Sequence, residues 1–415
     1  MRERFDVLVV GGGPAGASVG TWLARAGFHV ALLDRAHFPR DKACGEFLTL
    51  EARHLLEDLG AWPDVRAAGV RSVAATRLIA PNGAQTRYMP AHGGPAGYAL
   101  RRIALDGALL ANARRAGVAV REGVAMRELI RDARGQVCGV LARETDGRPM
   151  EMRARLVIGA DGAHSLVARQ LGLVRALPRL QRVALVSHWR GVPGEDDALE
   201  MRARGPIVCG LAFPGPEEEK GEQQNPSACP ANLTLVVPTS AAARIAGRAG
   251  DFLEETIAAQ FPDLAARLSG AEGEPAIRTV GCFGHVCRPA VADGALLVGD
   301  AATFIDPFTG EGVYFALRGA QLAAEVSADA LRASDTSRSR LRAYQRARCE
   351  LAHRYLLCDI VQAVVRRPAL FARVVRRFDR FPGLADRLLG VLSDTRPPAE
   401  ALHPAFLWRL LVPEF

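Results

Sequence analysis

The feature that most constrains this chain is a glycine-rich turn close to its start. Phe5-Asp6-Val7-Leu8-Val9-Val10 has the pattern of a short buried strand and runs straight into Gly11-Gly12-Gly13-Pro14-Ala15-Gly16. A helix is expected from there through Ala26, with Gly27 closing it, and Phe28–Leu33 reads as a second strand ending at Asp34. Strand, Gly-x-Gly-x-x-Gly, helix, strand and acid together form a βαβ unit built for a dinucleotide. The glycines let the backbone approach a diphosphate, the helix N-terminus offers free N–H groups, and Asp34 can accept hydrogen bonds from ribose hydroxyls. This turn by itself does not choose between nicotinamide and flavin dinucleotides.

Composition narrows the class. The chain has 415 residues, 49% hydrophobic and 24% charged, which suits a globular protein of more than one domain. Apolar runs such as Val7–Val10 and Leu296–Val298 fall far short of the ~20 residues that cross a bilayer. The first of them ends in a glycine turn rather than a cleavage site, so a cytoplasmic protein is expected. The net charge is +8, but the arginines are scattered among acids, which argues against a nucleic-acid groove. The basic helix around Leu370–Phe378, with Arg366, Arg367, Arg373, Arg376, Arg377 and Arg380, is a candidate for peripheral membrane contact or for packing on the protein itself. Cys282, His285 and Cys287 lie close together without a second ligand pair, so no metal is expected.

The texture changes along the chain. Strand-like stretches (Arg77–Ile79, Val118–Arg121, Val137–Ala142, Ala184–Arg190, Leu233–Val237) alternate with helices at Ile103–Arg115 and Asp251–Leu268. The polar stretch Gly215–Pro230 reads as an exposed loop. From Ala295 the strand-then-glycine texture returns, and the last seventy residues read as helices interrupted at Arg348. This organisation predicts a discontinuous nucleotide-binding domain (residues 1–70, 100–175 and 280–335), a substrate-binding β-sheet domain inserted into it (71–99 and 176–279) and a C-terminal helical region (336–415).

Two more motifs identify the dinucleotide. Leu156-Val157-Ile158-Gly159-Ala160-Asp161-Gly162 is a buried strand ending in a polar turn, and Gly299-Asp300-Ala301-Ala302 precedes Asp306-Pro307-Phe308-Thr309-Gly310-Glu311-Gly312 and a helix. An aspartate at a strand end can hold a ribityl hydroxyl, and a glycine-flanked helix N-terminus can stabilise charge on a reduced isoalloxazine. With the three motifs in this order, roughly residues 5–330 resemble the flavoprotein superfamily of aromatic hydroxylases, halogenases and geranylgeranyl reductases.

The resemblance implies an α/β Rossmann-like FAD-binding fold of the glutathione reductase/p-hydroxybenzoate hydroxylase type, with FAD as cofactor and NAD(P)H or another external donor as reductant. By position, Gly11, Gly13, Pro14, Ala15, Gly16, Asp34 and Arg35 would hold the adenosine diphosphate half. Arg102 would contact the flavin, Asp161 and Gly162 would lie near the diphosphate, and Gly299, Asp300, Pro307, Gly310, Glu311 and Gly312 would surround the ribityl chain and ring. Pro39-Arg40-Asp41-Lys42-Ala43-Cys44-Gly45-Glu46 is most similar to the geranylgeranyl reductase branch, which places a Lys-x-Cys-Gly-acid turn near the flavin. Cys44 and Gly45 would thus sit at the cofactor, and Cys44 and Glu46 are the candidate catalytic residues. Cys44 could position a substrate or supply a proton, or it could be a small packing residue.

One stretch departs from that branch. Its Tyr-x-Trp-x-Phe-Pro pattern is Cys209-Gly210-Leu211-Ala212-Phe213-Pro214 here, with both large aromatics replaced. Cys209, Leu211 and Phe213, with His188 and Trp189 on a nearby strand, are expected to line a reshaped substrate pocket, although His188 reads more readily as a satisfied core histidine. Halogenases are set aside, because Trp22, Trp62, Trp189 and Trp408 never pair at the Trp-x-Trp-x-Ile-Pro spacing and neither Lys42 nor Lys220 stands in the context of a catalytic lysine. The leading expectation is an FAD-dependent reductase of a C=C bond in a hydrophobic lipid-like or polyketide-like small molecule. The alternatives are an NAD(P)H-dependent flavin monooxygenase and a flavin-binding protein without turnover.

Overall fold

The structure is a computed structural model that describes residues 2–90, 93–194, 197–215, 230–305, 310–392 and 396–411. Most of the expected Gly215–Pro230 loop and the stretch Asp306–Thr309 lie outside those residues.

The glycine motif folds as its spacing dictates. Strand Arg2–Val10 is followed by helix Pro14–Arg25, which Gly13 caps, and Gly27 ends the turn at φ 89°. Strand Val30–Asp34 then pairs parallel to the first. Pro149–Gly159 runs parallel on the other side, and Ala295–Leu297 beyond it, so the three motif-bearing strands end at the same edge of one sheet. Ala119–Glu122 completes the parallel order beside Val30–Asp34. The antiparallel pair Val124–Arg131 and Val137–Glu144 leans on Pro149–Gly159. Val7, Leu8, Val9, Leu32, Val157 and Ile158 are fully buried, as a sheet covered on both faces requires.

A second sheet is built mainly of antiparallel pairs, Arg182–Arg190, Ala231–Pro238, Ile207–Ala212 and Ala198–Arg204 in spatial order. Ala75–Ile79 joins it parallel to Ala198–Arg204 and carries Gln85–Tyr88 on its far edge. Both faces of this sheet are covered. Val183, Leu185, Cys209, Leu211, Leu233 and Leu235 pack under helices Ala249–Gln260 and Pro262–Leu268. Ala184, Val208, Val236, Leu78 and Tyr88 face the C-terminal helices.

The single helix expected over Asp251–Leu268 is two. Pro262 lacks the N–H that would continue the ladder, and Phe261 leaves helical geometry at φ −138°. In the C-terminal region the expected interruption at Arg348 is a 3₁₀ turn, Arg348–Leu351, between helices Arg338–Ala347 and Ala352–Val365. The basic helix Pro368–Arg380 buries Phe371, Val374, Val375 and Phe378 against the second sheet's layer, so its apolar side is covered by the protein itself. Among the described residues no helix is long and apolar enough to cross a membrane.

Candidate functional site

The glycine turn is shaped for close backbone approach. A Cβ on Gly16 would lie 1.8 Å from the Gly11 carbonyl oxygen, and Gly11 itself sits at φ 107° with Ala160 O 2.4 Å from where a side chain would begin. No other residue fits either place. Asp34 ends its strand with Oδ2 accepting from Gly12 N at 2.7 Å and Oδ1 from Ala36 N at 2.9 Å. Two guanidiniums converge on Gly13: Arg40 Nη2 and Arg102 Nη2 would be 3.6 and 3.7 Å from a Cβ there. Arg40 also bridges Asp34 (3.6 Å) and Asp106 (3.1 Å). Arg102 binds Asp106 from Nε at 2.7 Å. Burial alone opposes the charge on Arg102, but Asp106 and the Cys44 sulfur raise its pKa above the ordinary arginine value. Free N–H groups, a helix N-terminus and paired guanidiniums form a cradle for a dinucleotide diphosphate.

A cavity of about 1210 Å³, its open mouth included, continues from this cradle. Gly13, Pro14 and Ala15 line one end, followed by Gly162, Asp300 and the turn Lys42–Phe47, with Gly310 and Gly312 further along. Most of the described residues predicted for the cofactor line this cavity, Gly11, Gly16 and Asp34 shape the cradle behind it, and four others do neither. Arg35 is exposed beyond Asp34, and the guanidinium that faces the Asp34 carboxylate is that of Arg40. Asp161 is occupied by its own turn, accepting from Ser165 Oγ at 2.5 Å and from Leu166 N and Val167 N at 2.7 and 3.2 Å. Gly299 packs on Ala15 rather than lining the cavity. Glu311 is buried away from it, bound by Arg354 Nη1 at 3.0 Å and Cys358 Sγ at 3.3 Å. Pro307 lies outside the described residues.

Lys42 was not foreseen as a site residue. Its ammonium would lie 3.2 Å from a Cβ on Gly162, and burial together with Arg102 lowers its pKa, against the opposing pull of Asp300 and Asp106. Two residues on, Cys44 lines the cavity, accepts from Glu46 N at 3.4 Å, and its carbonyl accepts from Asn232 Nδ2 at 2.9 Å. Glu46 holds φ 56°, an unusual backbone for a residue other than glycine, and its Oε1 accepts from Arg102 N at 2.9 Å. Its Oε2 meets His188 Nε2 at 3.0 Å.

The expected substrate-pocket residues need correcting. Cys209, Leu211, Phe213 and Trp189 point into the helix-covered face of the second sheet. Burial pushes the Cys209 thiol up to about 12, which keeps it inert. His188 is on the opposite face but lies behind Glu46. The cavity side of the same strands presents Val208, Gly210 and Ala212, with Asn232 and Thr234 beside them. One step along a strand exchanges the faces. Beyond lies an apolar cavity of about 940 Å³, mouth included, between the sheet and the C-terminal helices, lined by Leu78, Leu199, Met201, Val364, Phe378, Leu407 and similar side chains. Phe47 borders the cofactor cavity, the sheet groove and the apolar cavity alike.

A cradle of this kind, with an aspartate at the end of each outer motif strand and a cavity running on past a second glycine-flanked helix, matches a flavin dinucleotide. The model of the FAD binding domain family matches residues 4–357. The chain belongs to this FAD-binding family. It is 34% identical over 351 residues to digeranylgeranylglycerophospholipid reductase 2 of Methanopyrus kandleri, covering 82% of this chain and 81% of that one. Among solved structures, the flavin-dependent brominase Bmp2 superposes with a TM-score of 0.81 at 21% identity, over 98% of this chain and 99% of the other. A geranylgeranyl bacteriochlorophyll reductase-like protein from Thermoplasma acidophilum gives 0.74 at 21% identity, over 99% and 100%. At that identity both likenesses concern the fold. This member of the family is an FAD-dependent oxidoreductase with the Rossmann-like fold, the β-sheet layer and the C-terminal helices that the motifs imply.

Proposed function

We propose that this protein reduces a C=C bond of a small molecule with a long apolar portion. One observation carries the reading: the cavity assigned here to FAD meets, at Phe47, an apolar cavity whose lining side chains are all apolar apart from Thr76. A tail in that cavity would bring the other end of the molecule past Phe47 to Cys44. The 34%-identical relative named as a phospholipid reductase supports the same reading. When bound, FAD supplies the hydride, after reduction by NAD(P)H or another external donor.

The chain's own part is to bind, orient and exclude water. Gly11, Gly13, Gly16, Asp34, Arg40 and Arg102 would hold the dinucleotide, Asp300 and Lys42 would flank its middle, and Gly45, Gly310 and Gly312 would leave room for the ring. Asn232 and Thr234 offer polar contacts at the boundary between the two cavities. The protein would work in the cytoplasm. The exposed Leu356, Phe381 and Trp408 and the arginines of the C-terminal layer offer a peripheral contact with a membrane that holds the substrate.

The test is anaerobic. Holoenzyme reduced with dithionite and freed of excess reductant is mixed with vesicles of a digeranylgeranylglycerophospholipid. Return of the oxidised flavin spectrum, with a product two hydrogens heavier per turnover, is expected. Flavin that stays reduced until O₂ is admitted, with oxygen then found in the product, would replace this reading by the monooxygenase one.

A further inference from the structure

One wall of the cofactor cavity carries ionisable side chains that the dinucleotide does not need. Glu46 lines the cavity and is 3% exposed. Behind it His188 is 2% exposed, with Nε2 3.0 Å from Glu46 Oε2 and Nδ1 3.8 Å from Glu274 Oε2. Glu274 leads outward, its side chain 27% exposed. Its other oxygen faces Arg101 Nη1 at 3.3 Å and Arg190 Nη2 at 3.9 Å. The other Glu46 oxygen, Oε1, accepts from Arg102 N at 2.9 Å. Asn232 Nδ2 lies 3.4 Å from His188 Nε2 but donates to the Cys44 carbonyl, and Thr234 Oγ1 donates to Asn232 Oδ1 at 2.9 Å. The Arg102 guanidinium is turned to Asp106 and Cys44.

A buried imidazole therefore stands between two carboxylates, one at the cavity and one at the surface. A strut that merely held the Glu46 turn would need only the Nε2 contact. With a hydrogen-bonded carboxylate at Nε2 and a second one 3.8 Å from Nδ1, a gap that one bridging water or a small shift closes, a proton entering at Nδ1 can leave at Nε2. We propose that Glu274, His188 and Glu46 form a proton-supply line from solvent to the cofactor cavity. The inference rests on the reductase reading, in which hydride adds to one alkene carbon and the π electron pair takes a proton at its neighbour. That proton leaves the Glu46 carboxyl, His188 Nε2 restores it, and water restores His188 through Glu274. Glu46 is then the catalytic acid, His188 and Glu274 are positioning residues, and Cys44 shapes the turn.

Two measurements on the FAD-loaded protein test this. In ¹⁵N-histidine spectra, with the His188 signals assigned from their absence in His188→Gln, Glu46→Gln should shift the Nε2 signal and Glu274→Gln the Nδ1 signal. An Nδ1 signal unaffected by Glu274→Gln would overturn the supply line whatever the substrate. In anaerobic reoxidation by the same lipid vesicles, Glu46→Gln should lose ~10²-fold or more, as for a missing general acid. Glu46→Asp should recover part of the rate, and Cys44→Ala should lose far less. The reverse order of Glu46→Gln and Cys44→Ala would also overturn it. Wild-type flavin that the lipid never reoxidises would reject the reductase reading instead, and the spectra would still decide the line.

Discussion

Asp34, Asp161 and Asp300 all end or follow motif strands, yet their surroundings divide their work. Asp161 has both oxygens occupied by Ser165, Leu166 and Val167, so it fixes the turn that presents Gly162. Asp300 lines the cavity and is available to a ribityl hydroxyl. Asp300→Ala should weaken FAD binding by ~1.5–3 kcal/mol, the usual loss of a charge-assisted hydrogen bond. Fluorescence titration of the apoprotein with FAD measures it, and unchanged affinity would remove Asp300 from the site. Lys42 gives a pH signature. Burial holds its folded pKa below the ordinary lysine value, so between the two the unfolded chain binds more protons and stability rises with pH. Apoprotein should therefore gain melting temperature on mild alkalinisation, and Lys42→Met should flatten that slope. An identical pH profile in the variant would contradict the burial of the ammonium.

Elements explain which parts of the site were legible. Gly11, Gly13, Gly16, Asp34 and Asp300 belong to contiguous motifs whose local geometry dictates residue type, so spacing alone locates them. Arg40, Lys42 and Phe47 sit in a turn whose path across the cavity depends on contacts made with distant elements, such as Asn232 with the Cys44 carbonyl. The face of strand Ile207–Ala212 was misread for a different reason. Both sides of that sheet are buried, under helices on one side and the C-terminal layer on the other, so no polar alternation marks which side chains reach the cavity. Glu311 shows the same limit: its motif position suggests the cofactor, but Arg354 and Cys358, brought in by helix Ala352–Val365, take its carboxylate. This contact ties the helix that opens at Gly312 to the C-terminal layer. Arg354→Met should cost about 3 kcal/mol by leaving a buried carboxylate short of its cation, read as a lower denaturant midpoint. A change within a few tenths of a kcal/mol would show that Glu311 is neutral or otherwise balanced.

The molecule's two main cavities meet at Phe47, one at the motif-strand end and one at the apolar end. The motif strands end beside the cofactor cavity, and the C-terminal helices close the apolar end over the second sheet, with Tyr355 and Cys358 of helix Ala352–Val365 also reaching the cofactor cavity. The two ends should therefore be separable by substitution. Val364 lines the apolar cavity from helix Ala352–Val365 and does not line the cofactor cavity. Val364→Phe adds bulk where there is space, so it should hold or raise the melting temperature, as cavity-filling changes commonly do by ~0.5–2 kcal/mol. FAD affinity and the flavin spectrum should stay as in the wild type. Anaerobic reoxidation by a digeranylgeranylglycerophospholipid should fall steeply, while a shortened analogue that keeps the alkene next to the headgroup should lose little. Equal losses for both lengths would place the tail elsewhere, because a blocked tail site can only penalise molecules long enough to reach it.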